Sequence, residues 1–118
     1  MDRAEIPHLS VTELAALIET KQVSPVEAVE AYLGRIEQLN PVVNAYVTVC
    51  AEEARRDACQ AEEEIQQGRY RGPLHGVPVA IKDQIHTKGI LTTDGSKLRA
   101  NFVPEEDATV LANLKKAG

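Results

Sequence analysis

A chain of 118 residues with 43% hydrophobic content is within the size and composition of one soluble domain, yet only 3% of it is aromatic and it has no tryptophan. Large aromatic side chains dominate core energetics, so a small chain this poor in them builds a thin core and reads as a piece of a larger fold. The formal net charge of −5 argues against nucleic-acid binding through this segment, because phosphate contacts need clustered Lys and Arg.

In chain order, Ser10-Val-Thr-Glu13 is a capping box, and Leu14, Leu17 and Ile18 form one apolar stripe behind it, so a short helix is expected to about Lys21. Ser24-Pro25-Val-Glu27 starts a second helix with Ser at N-cap, Pro at N1 and Glu at N3. Its stripe is Val26, Val29, Leu33 and Ile36, with Tyr32 and Leu39 beside it. This helix is expected to stop at Asn40-Pro41, since proline disfavours helix in the residue before it. Val42 to Val49, rich in β-branched residues, reads as a short extended segment. Ala51 to Gln67 reads as a charged helix lined by Ala51, Ala54, Ala58, Ala61 and Ile65, with Gly68 placed as its C′ residue. The charges at Glu62–Glu64 and Arg55–Asp57 fit a solvated face better than an acidic binding surface.

Arg69 to His75 is a loop with glycine and proline punctuation, and its glycines match no phosphate-cradling motif. Val77, Val79 and Ile81 then alternate with Pro78, Ala80 and Lys82, the period-2 pattern of a strand. Thr87 to Ala100 reads as loop and turn. Pro104-Glu-Glu-Asp107 opens a last helix in which Asp107 can cap, with Val110, Leu111 and Leu114 on the apolar side. Strand, loop and helix in that order suggest an α/β unit whose next strand would begin where the chain stops. No internal repeat or low-complexity segment is present.

The alternation puts Lys82 on a strand face with small neighbours, where a second element can approach it. Desolvation there disfavours the charged form and makes a neutral amine available as a general base. A lysine snorkelling to water is the competing reading of that position taken alone. Asp83 follows on the opposite face and is a poor direct partner. His75 and His86 flank the segment without a carboxylate–histidine pattern at ligand spacing, so they read as surface histidines and not as acid/base groups or metal ligands. Ser96 has no nearby base in sequence and reads as a turn-stabilising serine. Cys50 and Cys59 lack a second pair or adjacent histidines, so they suggest neither zinc nor a disulfide framework; free thiols fit a reducing, cytoplasmic setting. No apolar run approaches membrane-spanning length, and no signal-peptide pattern opens the chain.

The string Gly72-Pro-Leu-His-Gly-Val-Pro-Val-Ala-Ile-Lys-Asp83, its sequel Gln84 to Ser96, and the stretches Phe102 to Thr109 and Leu114 to Gly118 strongly resemble the amidase-signature family of serine hydrolases. The resemblance reaches back to the first helices and covers nearly the whole chain. It implies an α/β fold, a mixed sheet covered by helices. The chain would supply an incomplete amino-terminal portion of one amidase domain, mainly helical over 1–70 and strand–loop–helix over 71–118. It implies a Ser–cis-Ser–Lys triad hydrolysing amide carbon–nitrogen bonds, with Lys82 on the catalytic lysine position and no metal or organic cofactor. The family carries Asn and Asp where Gln84 and His86 stand, a departure that bears on the local loop geometry. The family's two serines lie in a downstream Gly/Ser-rich segment, and the chain ends at Gly118 without one. The expectation is therefore a fragment inactive by itself, acting on a small-molecule amide only as part of a complete enzyme, with no direct nucleic-acid or membrane partner. Two alternatives stay open: the glutaminase subunit of a tRNA-dependent amidotransferase, which would need partner subunits, and a non-catalytic truncated product or interaction module. Apolar faces left uncovered would promote self-association.

Overall fold

The computed structural model describes residues 1–118 and divides into two compact units, residues 1–78 with 117–118, and residues 79–116. In the first unit, helix α1 spans Val11–Glu19. Its capping box is formed: Glu13 N–H donates to Ser10 Oγ at 3.3 Å, and Ser10 N–H donates to Glu13 Oε2 at 2.8 Å. The helix ends two residues earlier than the apolar pattern suggests. Lys21 turns into the left-handed region at φ 60, and Gln22 N–H closes on the Leu17 carbonyl. Helix α2, Pro25–Val43, starts with the second capping box, Glu27 N–H to Ser24 Oγ at 3.2 Å and Ser24 N–H to Glu27 Oε2 at 3.0 Å.

Two sequence expectations fail at the end of α2. The helix does not stop at Asn40-Pro41 but runs through Pro41 to Val43. In the last turn, the missing proline N–H deprives only the Glu37 carbonyl, and Glu37 is exposed to water. Asn44 provides the stop instead: it adopts φ 49, and its N–H donates to the Asn40 carbonyl at 2.7 Å. The Asn40 side chain then accepts from Tyr46 N–H at 2.8 Å and donates to the Tyr46 carbonyl at 3.1 Å. Val42 to Val49 is accordingly no extended segment. Val42 and Val43 are helical, and 44–50 is an irregular loop held by Asn40.

Helix α3, Ala51–Gln66, ends as its sequence indicates, with Gly68 at φ 79 and Arg69 N–H donating to the Glu64 carbonyl. It packs on α2, and α2 also packs on a short 3-10 turn at Ile6–His8. Ile6, Leu14, Ile18, Val23, Ala28 and Ile65 form the buried cluster these elements share, with Tyr32, Tyr70 and Val77 against it. Gly76 enters this unit at φ 81, and a β-carbon there would lie 2.6 Å from Pro25 Cγ, so only glycine fits.

The second unit has less regular structure. A 3-10 turn covers Lys97–Arg99, and helix α4 covers Thr109–Lys116. Leu111 of α4 is buried, while Val110 is exposed. Asp107 does not cap α4. Ala112 N–H donates to the Ala108 carbonyl, which makes Ala108 the N-cap residue. The Asp107 carboxylate instead accepts from Lys88 N–H at 2.7 Å and Lys115 Nζ at 2.8 Å. The loop also folds back on itself through Gly89 N–H to the Pro104 carbonyl, Thr92 N–H to Phe102, and Ala108 N–H to His86. Residues 77–82 lie in neither helix nor strand, and the chain contains no strand. A strand exists only by pairing, and residues 1–118 offer this segment no ladder partner. No helix is long and apolar enough to cross a membrane.

Candidate functional site

Lys82 sits at the head of the loop-rich unit, with its carbonyl accepting from Ile85 N–H at 2.9 Å in a tight turn. Its side chain is exposed and has neither a hydrogen bond nor an ion pair. The desolvation expected from the strand pattern is not supplied by residues 1–118. The neighbours Val79 and Ala80 are exposed as well. The amine is therefore unengaged by any group of its own chain.

Asp83, by contrast, is fully committed. Its Oδ1 accepts from Thr93 N–H at 2.9 Å and its Oδ2 from the Thr93 hydroxyl, while its own carbonyl accepts from Asp94 N–H at 2.8 Å. The Thr93 hydroxyl, then the Thr93 N–H, hold the Asp83 carboxyl below the ordinary carboxylate range. Both carboxylate oxygens thus face the Thr93 turn, in keeping with the expectation that Asp83 is no partner for Lys82. Ser96 caps the 3-10 turn by accepting from Leu98 N–H at 3.2 Å, a structural use of its hydroxyl. His86 is partly buried against Phe102, ring centroids 5.3 Å apart, and the Arg99 guanidinium lies 5.2 Å from the same ring.

His75 corrects the sequence reading most clearly. It is not a surface histidine but only 1% exposed, in the first unit. Its Nδ1 accepts from Arg71 N–H at 3.0 Å, which fixes the proton of the neutral ring on Nε2. Nε2 lies 2.9 Å from Glu64 Oε2, but the ring N–H points off line, so the contact is close without being a hydrogen bond. Glu64 is also buried and accepts from Gln60 Nε2 at 3.2 Å and Arg71 Nη2 at 2.8 Å. The Gln60 amide, and after it the Arg71 guanidinium, hold the Glu64 carboxyl below its ordinary range. Tyr70 stacks on His75 with centroids 5.9 Å apart. Glu64 therefore belongs to an inward-facing cluster, not to the solvated face expected for Glu62–Glu64. The partners are separated by the α3 C-terminus and a loop, so no local spacing in the sequence announces them. A groove of this unit, about 240 Å³ and lined by Tyr32, Arg35, Ile36, Leu39 and Tyr46 among others, lies on α2 and contains no part of the Lys82 segment.

The profile of the family described as Amidase matches residues 27–118. Among curated relatives, the chain is 46% identical over 114 residues to a glutamyl-tRNA(Gln) amidotransferase subunit of Carboxydothermus hydrogenoformans, covering 97% of this chain and 24% of that protein. It is 48% identical over 114 residues to the corresponding glutamyl-tRNA(Gln) amidotransferase subunit of Geobacter metallireducens, covering 97% and 23%. It is also 41% identical over 118 residues to the putative amidase AmiD of Mycobacterium bovis, covering 100% of this chain and 25% of that protein. The chain thus spans about a quarter of the length of the relatives it matches. The string around Lys82 falls inside the matched region, and the chain belongs to the amidase family.

Proposed function

We propose that this chain is the amino-terminal portion of an enzyme that hydrolyses amide carbon–nitrogen bonds, and that Lys82 is its terminal base. The observation that carries the reading is the family match over residues 27–118, which includes the Gly72–Asp83 string. In the proposed reaction a serine outside these residues attacks the amide carbonyl. Its proton passes through a second serine to the neutral amine of Lys82, forming a tetrahedral oxyanion. Collapse of that intermediate expels the amine, which takes up a proton, and water then hydrolyses the acyl-enzyme. Lys82 suits the end of this relay because its amine is bound to no carboxylate of its own chain. A base works best with a pKa near the operating pH, so the reading requires further chain to cover Lys82 and to favour its neutral form.

The fold proposed for the complete protein is the mixed α/β sheet of the family, with residues 77–82 paired as an early strand. The portion itself is inactive, because it holds the base and neither the nucleophile nor the oxyanion donors. Needing no metal or organic cofactor is part of the same proposal. The free thiols Cys50 and Cys59 support a cytoplasmic setting.

A second reading has its own support. The relatives at 46% and 48% identity are amidotransferase subunits, so the amide could be that of glutamine, with partner subunits receiving the ammonia. Ammonia release from glutamine and from simple aliphatic and aryl amides, assayed with the full-length protein, separates the two. A free-standing amidase turns over the simple amides alone, whereas an amidotransferase subunit releases ammonia from glutamine and gains rate from its partners. Lys82→Ala abolishes either activity while leaving the thermal melt in place. Retained hydrolysis in that variant removes Lys82 from the mechanism.

A further inference from the structure

The residue after Lys82 is bonded in a way that the proposed base needs. Three hydrogen bonds tie Asp83 to one turn: Thr93 N–H to Oδ1, the Thr93 hydroxyl to Oδ2, and Asp94 N–H to the Asp83 carbonyl. A fourth, Ile85 N–H to the Lys82 carbonyl, holds the Lys82–Asp83 peptide itself. The turn that receives Asp83 is itself fixed. Gly95 N–H donates to the Thr93 hydroxyl oxygen at 3.3 Å, Ser96 N–H donates to the Thr93 carbonyl, and Asp94 adopts φ 58. Next to it Thr92 is buried, with its hydroxyl donating to the Ile90 carbonyl at 3.1 Å.

No other part of the loop has a carboxylate satisfied by both the backbone and the side chain of a single residue. The bonds hold the Lys82 carbonyl and the whole of the residue that follows it, so they fix the backbone on the carboxyl side of the Lys82 Cα. They also turn both oxygens of the carboxylate nearest in sequence toward Thr93 and away from any use as an ion-pair partner of the amine.

We infer that Asp83 and Thr93 form a clamp that positions Lys82, holding its backbone so that a long, flexible side chain is delivered to one place. This rests on the assignment of Lys82 as the base. Asp83 and Thr93 are positioning residues and touch no reacting atom. A lysine has four rotatable side-chain bonds, so if its backbone is also free the amine samples a large volume, and a displacement of about 1 Å costs up to a hundredfold in rate.

The test is steady-state kinetics of amide hydrolysis by the full-length protein, with Asp83→Ala, Thr93→Val, Thr93→Ser and Lys82→Ala side by side. Thr93→Val is near-isosteric and removes only the hydroxyl, which donates to Asp83 and accepts from Gly95 N–H, so it keeps the question answerable if Asp83→Ala fails to fold, with the thermal melt as the check. Asp83→Ala and Thr93→Val are expected to lower kcat about tenfold to a hundredfold with KM changed by less than about twofold, because substrate binding is untouched. Thr93→Ser, which keeps the hydroxyl, is expected to restore most of the rate. If Lys82→Ala is inactive while Asp83→Ala and Thr93→Val turn over like the unmodified enzyme, the clamp is overturned and the base assignment stands. A Thr93→Ser variant as slow as Thr93→Val also overturns it, since the hydroxyl would not be the operative group. If Lys82→Ala stays active, the base assignment fails and the positioning role falls with it.

Discussion

Residues 1–78 bury Ile6, Leu14, Ile18, Val23, Ala28 and Ile65 in one apolar cluster, whereas residues 79–116 bury only Thr92, Pro104 and Leu111. What the loop unit lacks in apolar burial it replaces with carboxylates bonded to backbone. Asp83 holds the Thr93 turn, and Asp107 joins Lys88 to Lys115. The helical unit has a bonded carboxylate too, Glu64, but uses it to settle His75 and Arg71 at the edge of an apolar core. Loss of one polar bond leaves the apolar cluster of the helical unit in place, while the loop unit has less apolar burial to fall back on. Lys82, the proposed base, sits in the part whose shape depends on polar bonds of definite direction, which suits precise placement better than non-directional packing does.

The contrast breaks first, and most heavily, at the apolar cluster. Leu14→Ala is expected to cost about 3 kcal/mol of unfolding free energy, read as a lowered denaturant midpoint, because Leu14 is 1% exposed and its removal leaves a cavity. Gly76→Ala is expected to cost about 2 kcal/mol in the same titration, from positive φ and the collision with the Pro25 ring. Ser24→Ala removes one half of the α2 capping box and is expected to cost about 1 kcal/mol.

Acid sharpens the comparison. The Asp83 carboxyl is held down by the Thr93 hydroxyl first, and that of Asp107 by the Lys115 ammonium first. A depressed carboxylate pKa contributes stability that is present above the unfolded value near about 4 and is lost as pH falls through the folded value. Below about pH 4 the amides of Thr93 and Lys88 should therefore lose protection relative to free-peptide exchange, while helical circular dichroism from α1 to α3 persists to lower pH, because that unit, although Glu13, Glu30 and Glu64 are also held down, keeps its apolar cluster. Loss of both signals at one pH would show that the two parts do not differ as described. Asp107→Asn should speed exchange at Lys88 at neutral pH and leave the α1 amides unchanged. The smallest effect is expected at Arg55, whose pairing with Glu30 is exposed: Arg55→Gln should shift the denaturant midpoint too little to separate from the unmodified protein.

The helices are legible in the sequence because their start signals are local. Both capping boxes and the glycine after α3 are short patterns whose bonds form within one turn of chain. The end of α2 is not, because the proline warning at Asn40-Pro41 loses to the solvated Glu37 carbonyl and to the Asn40 and Asn44 bonds. Alternation at 77–82 marks residues able to pair, but pairing needs a neighbour, and the chain provides none. Lys82 stands out through the string that contains it, whereas its exposure cannot be read from neighbours in sequence, which point to burial. His75 misleads for the opposite reason. Its flanking glycines look like a surface loop, while its partners Glu64 and Arg71 are brought in by the way α3 ends. Thr93 carries no signal beyond a threonine near a turn; the bond to Asp83 spans the whole intervening loop.

The most direct test of the account is turnover by Lys82→Arg in the full-length protein. Arginine keeps the positive charge and much of the length but cannot give up its proton at any working pH. If Lys82 is the base, this variant should be as inactive as Lys82→Ala with its melt intact. Near-normal hydrolysis by Lys82→Arg would mean that charge alone suffices at this position and would contradict the proton-accepting role.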